Sequence, residues 1–312
     1  MSGFPLPYPT GMTSNTRLLS CMILLLSVIF VGGCGKRKPT YSPHENLLSI
    51  TAEFQLLASR DPYADPAGRD LTGTSIARAT LTRAANYEAL HPGRFTPEVL
   101  VLKARALELL GDYSTARRNY EEAAAFETEL REDCRERIRQ LDLLVLASGL
   151  ATPTGDIRGD AAKLADQAAE FRRIAGTTER QPYRGLALRE AEEAEVRRAE
   201  LLVAARLLLP NGELEAISAL EQLVANHRTS ARAFGHVMRL ARYHRQLAEQ
   251  IVRLNPPDRP GFPFDRFRNH FDAASDLLYR VAQADGAPER RVARHELDAL
   301  LAWGATVQEA TR

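Results

Sequence analysis

The sequence predicts an all-α body, and three observations predict it. Ala, Leu, Arg and Glu dominate the composition, the usage of packed helices rather than of a sandwich or a disordered tail. Apolar residues recur at i, i+3, i+4 and i+7 through most of the chain, and start signals alternate with Gly-, Pro- and Asn-rich breaks. With 312 residues, 45% of them hydrophobic, there is enough apolar material for one large or two small globular units. Lys and Arg total 41 against 40 Asp and Glu, so charge balance gives no electrostatic reason to expect a nucleic-acid partner.

The first segment is read apart from the fold. Arg17 supplies a positive n-region, and Leu18 to Val31 carries no charge before Gly32, Gly33 and Cys34. About 14 apolar residues fall short of the roughly 20 that a spanning helix needs, and fit a cleavable export segment. The tetrad Val31-Gly32-Gly33-Cys34 resembles the lipobox of bacterial lipoproteins: an aliphatic residue, two small residues and the cysteine that receives lipid. The resemblance implies a signal peptide over 1–33, cleavage before Cys34, lipid attachment at Cys34 and a membrane-anchored address. Residues 34–41 form the tether. Its Lys36, Arg37 and Lys38 are read as a solvated linker that can also meet anionic headgroups. Gly35, rather than aspartate, after the cysteine resembles lipoproteins sent to the outer membrane, and Met12 is an alternative initiator to Met1. Once Cys21 leaves with the leader and Cys34 is acylated, Cys134 is the one remaining thiol, expected as a small buried apolar residue.

The helical body is predicted over 42–254. Ser42-Pro43-His44-Glu45 pairs a capping serine with proline at the first helical position and glutamate three residues on, so a helix should run to about Ser59. Asp61 to Gly68 breaks it, and a second helix starts near Thr74 and ends before His91-Pro92-Gly93. Thr96-Pro97-Glu98 repeats the start signal, Leu100, Ala104 and Leu107 share a face, and Gly111-Asp112 makes a tight turn.

Residues 97–126 resemble a tetratricopeptide repeat, two antiparallel helices per unit, through Gly111-Asp112-Tyr113, Ala116, Tyr120 and Ala123. A second copy covers about 199–254, where Ala216, Leu220 and Leu223 follow Asn211-Gly212-Glu213. Its continuation from Ala225 to Ala231 resembles the variant found in envelope-assembly lipoproteins, a turn followed by a serine-capped helix. The resemblance implies antiparallel hairpins stacked as an α-solenoid, with a groove that receives proteins or peptides.

Between the copies, Ala161, Leu164, Ala165, Ala168, Phe171 and Ile174 mark one helix face, and Thr177 to Gly185 reads as linker. Leu186 to Leu209 is predicted as one long helix whose Glu and Arg runs form a solvated face; its apolar spacing does not hold strict heptads. Leu240, Leu247, Ile251 and Leu254 form a stripe on the next helix. Residues 255–265 are a Pro-rich linker, and 266–312 a terminal helical pair with Trp303 covering the end of the stack.

Chemistry-bearing motifs do not emerge from the sequence. The seven histidines, at 44, 91, 227, 236, 244, 270 and 295, carry no HExxH spacing, there is no paired-cysteine or GxSxG motif, and no phosphate-binding glycine loop. His236 and His244 share a helical face two turns apart, too far for one metal. The Glu121-Glu122 and Glu190 to Glu195 carboxylates are expected to face water. The sequence therefore points to no catalytic residue, no metal and no cofactor, and to a non-catalytic scaffold or assembly factor of the cell envelope. A ligand carrier with an apolar interhelical cavity is the alternative, followed by a cell-wall-active enzyme. Mass spectrometry of the mature N-terminus is expected to find it beginning at an acylated Cys34; an intact leader or a bare thiol there would refute the address.

Overall fold

The computed structural model describes residues 42–64, 71–179 and 182–311. The leader, the lipobox Val31 to Cys34 and the tether lie outside the described residues. Two compact units are separated between Glu45 and Asn46. In the first, the predicted capping box is formed: the Ser42 hydroxyl accepts the Glu45 N–H at 3.2 Å, and the Glu45 carboxylate accepts the Ser42 N–H at 3.0 Å.

Among the described residues there are eleven helices and no strand: α1 (Pro43–Ala58), α2 (Leu71–Leu90), α3 (Thr96–Leu110), α4 (Tyr113–Ala124), α5 (Arg131–Ser148), α6 (Ile157–Thr177), α7 (Tyr183–Ala204), α8 (Gly212–Asn226), α9 (Ala233–Leu254), α10 (Phe264–Gln283) and α11 (Arg290–Ala310). From α2 onward, each helix packs on its chain neighbours. The all-α class is thus observed.

The α3–α4 corner shows how local chemistry sets this arrangement. Gly111 takes φ +80°, a left-handed conformation open to glycine, and its N–H returns to the Glu108 carbonyl while Asp112 N–H reaches Leu107. One residue later the Asp112 carboxylate accepts the Thr115 N–H at 3.1 Å and starts α4. Two residues therefore reverse the chain. Tyr113, Ala116, Tyr120 and Ala123 are all buried, and Cys134 is a buried free thiol beside them, as expected of it.

Interior helices each face two cores, so one core hands on to the next. Val99, Leu102 and Ala106 of α3 pack on Phe54 and Tyr87, while Leu100 and Ala104 on its other side meet α4, α5 and α7. Farther along, Ala199 and Leu202 of α7 join Leu220 of α8 and Tyr243 and Leu247 of α9. Val237 and Ala241 of α9 then meet Leu278 of α10 and Leu300 of α11. Ile251 closes on Phe267 and Val307, with Trp303 edge-on to the Phe267 ring.

Three expectations need correction. α7 begins at Tyr183, not Leu186, and ends at Ala204, not Leu209. Pro182 occupies its N-cap position, shrinking the expected linker to a few residues, and the chain turns at Ala205 to Pro210 with Leu207 and Leu208 in solvent. Leu254 does not join the α9 stripe. It is exposed, three residues beyond Ile251, which is the last member of the stripe to reach the core. The Glu and Arg run of α7 is solvated only in part: Arg197 and Glu200 are exposed, whereas Glu192 and Glu195 are buried.

The α7–α8 turn depends on Gly212, whose missing side chain admits the Arg206 carbonyl to 2.3 Å from where a Cβ would stand. Backbone cannot swing aside as a flexible side chain does. Gly212→Ala should therefore lower stability by about 2 kcal/mol, read as a lowered midpoint in chemical denaturation.

Candidate functional site

α7 carries Arg189-Glu190-Ala191-Glu192-Glu193-Ala194-Glu195 at its middle. Glu192 and Glu195, three residues apart, share a helical face. Neighbours approach α7 closely where its alanines lie: Ala187, Ala191 and Ala194 are fully buried. On one side Glu190 accepts the Tyr113 hydroxyl at 2.7 Å, and Arg189 donates to the Leu109 carbonyl at 2.9 Å. Elsewhere on the helix, Glu192 is 1% exposed and Glu195 7%.

A buried carboxylate is tolerated only when donors replace its water. The turn between α8 and α9 and its flanks supply most of them, and Arg172 of α6 one more. Glu192 Oε1 accepts from His236 Nε2 at 2.6 Å and from the Ser230 hydroxyl at 2.5 Å, while Oε2 accepts Arg232 Nε and Nη2 at 3.1 and 2.9 Å. Glu195 accepts both contacts of the Asn226 amide at 3.1 Å and Arg172 at 2.5 Å, and His227 Nε2 lies 3.2 Å away. The far side of the His227 ring meets the Tyr63 hydroxyl at 2.9 Å, and the Ala231 N–H donates to the Tyr63 carbonyl. Residues 226–236 are thus fastened to α7 and to the segment after α1.

Burial works against ionisation of Glu192, yet the His236 hydrogen bond, the Arg232 charge and the Ser230 hydroxyl outweigh it and hold the carboxyl down at about 2. Glu195 is governed likewise: burial raises it, and His227, Asn226 and Arg172 bring it below the ordinary value. Both carboxylates are ionised at neutral pH.

The opposite side of the same turn faces outward and forms a wall of a cleft of about 960 Å³. Val224 of α8, Phe234 and Val237 of α9 and Leu277 of α10 make its apolar lining, and Arg228 and Arg280 stand among its charged residues. Ser230 belongs to both structures, lining the cleft while its hydroxyl donates to Glu192. This groove, backed by an ion network that fixes its wall, is the candidate functional site.

Two further polar clusters lie in the interior. Glu108 of α3 accepts the Tyr183 hydroxyl at 2.7 Å, with Arg137 3.8 Å away. Burial pushes its carboxyl up, against the pull of Arg137, Tyr183 and Tyr120. A raised carboxyl is the setting of a general acid, but at 2% exposure the bonds of Glu108 run to protein groups. His244 and His270 face each other with their Nδ1 atoms 3.1 Å apart, and His270 Nε2 lies 3.3 Å from Glu213. Burial and the neighbouring His270 bring His244 down to about 4.

His236 and His244, which share a face in the sequence, go to different partners, Glu192 and His270. Among the described residues no three His, Cys, Asp or Glu side chains are grouped to hold a metal. Ser230 does not cap α9 in the expected way: its hydroxyl accepts the Arg232 N–H at 3.0 Å within the turn, and the helix starts at Ala233. Cys34, the expected lipid site, lies outside the described residues. Compared with known proteins, the chain matches no family model and no curated sequence.

The buried network was missed because glutamates on a charged helix read as solvated. Alternation with alanine was the available signal, since a helix lined with small residues on several sides is one that other elements approach. Glu192→Gln should destabilise the protein by about 3 kcal/mol at pH 7, where it strands the Arg232 and His236 donors. A carboxyl depressed from 4.5 to about 2 contributes stability above the unfolded value and loses it as pH falls through that interval. The gap between wild type and variant in thermal melts should therefore narrow from pH 4.5 toward pH 2, and a constant gap would contradict the role given to the charge.

Proposed function

We propose that this chain is a lipid-anchored, non-catalytic interaction scaffold or assembly factor of the bacterial cell envelope. In this reading Cys34 carries the lipid, the helices form a tetratricopeptide-like stack, and envelope proteins or peptides dock in the groove between α8, α9 and α10. If the cell has two membranes, the anchor sits on the periplasmic face of the outer one. The carrying observation is the groove itself: an apolar floor, open to solvent, whose wall is held by ionised carboxylates rather than by a loose loop. The Gly111-Asp112 corner and the buried Tyr113, Ala116, Tyr120 and Ala123 support the repeat-like reading. Occupation of the Glu192 and Glu195 oxygens by protein donors supports a structural role for that pair. Among the described residues no helix is long and apolar enough to cross a membrane.

A second reading, a carrier of a small apolar ligand, draws on a cleft of about 340 Å³ lined by Val196 and Val203 of α7, Leu220 of α8 and Tyr243 of α9. That volume is at the lower end of the range of about 300 to 1,000 Å³ seen for small-molecule sites. Native mass spectrometry separates the two readings, because a carrier retains a small-molecule mass.

The main reading is tested by placing a photocrosslinking amino acid at Phe234, in the groove, and at Leu146, exposed on α5. Defined crosslinks to an envelope protein from position 234 and none from 146 are expected in cells. Equal or absent crosslinking at both positions would overturn the groove as the docking site.

A further inference from the structure

We infer that the groove takes an amphipathic helix whose apolar stripe is flanked by acidic residues. This rests on the reading of the groove as a protein-docking site and specifies the partner's chemistry. Three observations carry it.

The first is the nature of the walls. α8, α9 and α10 are all helices, and no strand edge occurs among the described residues, so an extended peptide finds no backbone ladder to join. A helix brings its own N–H and C=O groups already paired and needs only side-chain contacts from an apolar floor. The second is size. A cylinder of about 10 Å diameter fills about 960 Å³ with about two turns, enough for anchors at i, i+3, i+4 and i+7 against Val224, Phe234, Val237 and Leu277.

The third is charge. Of the polar groups in the lining, Ser230 is already committed to Glu192, and Asp285 is engaged by Arg290 at 2.7 Å. Arg228, Arg280 and Glu221 remain without an ion pair among the described residues, two cations to one anion. Other arginines nearby are paired: Arg232 with Glu192 and Glu193, Arg239 with Glu200, and Arg242 with Glu296. Two free guanidinium groups beside an apolar floor form complementary sites for carboxylates along the side of an incoming helix, and their planar fork favours carboxylate over a neutral acceptor.

The test uses the full acylated chain in zwitterionic nanodiscs, with empty nanodiscs subtracted. Three fluorescent peptides of about 15 residues share one leucine stripe: one flanked by glutamates, one by lysines, and one glutamate-flanked with two central prolines. The glutamate-flanked peptide should bind about tenfold more tightly than the lysine-flanked one, and the proline peptide should lose binding. The order of the two charged peptides should invert on the double variant R228E/R280E. Both arginines are exposed, and circular dichroism of the variant checks its fold.

Equal affinity for the two charged peptides, an order that does not invert on a folded variant, undiminished binding of the proline peptide, or no binding by any of the three would each overturn the inference. These failures leave the groove reading standing as long as position 234 still crosslinks an envelope protein in cells. Crosslinking of position 234 to a second copy of this chain would overturn the inference in favour of self-association.

Discussion

Two ionised carboxylates sealed against the middle of α7 are the constraint on which this part of the molecule depends. Glu192 and Glu195 are stable there only because Ser230, Arg232, His236, Asn226 and Arg172 replace the water they give up. The requirement acts in both directions. The carboxylates need the donors, and the donors, once removed from water, need the carboxylates. The turn between α8 and α9 thereby acquires a fixed position, with the His227 ring packed edge-on against Tyr63 and His236.

The groove inherits its shape from that arrangement. Ser230, Ala231 and Ala233 belong to its wall, and each lies within or beside the fastened turn. Had the wall been a mobile loop, a partner would bear the entropic cost of ordering it. Phe234 and Val237 instead present their side chains from a helix whose start is set by its neighbours. Electrostatics in the interior and recognition at the surface are in this way two sides of a single turn.

Local features of this fold were legible in the sequence and distant ones were not. The Ser42 to Glu45 cap, the Gly111-Asp112 corner and the buried faces of α3 and α4 each depend on residues within a few positions of one another, so composition and spacing reveal them. Glu192 was opaque for the opposite reason. Its burial depends on residues 38 to 44 positions away, and that of its neighbour His227 on Tyr63, 164 positions away. The α7 boundaries were misplaced for a smaller cause: leucines at 207 to 209 continue a helical pattern that Pro210 and the close packing of Gly212 bring to an end. Apolar periodicity alone does not say which leucines meet a neighbour, as Leu254 also shows.

The 164-residue span between Tyr63 and His227 also bears on the order in which the chain can mature. A polypeptide delivered from its N-terminus presents Tyr63 long before residues 226–236 arrive, whereas Glu192 waits only 38 to 44 residues for Ser230 and His236. Docking of the turn is consequently a late event, with a large loop to close. The groove waits longer still, because Leu277 and Arg280 of its lining belong to α10 and follow the turn in the chain.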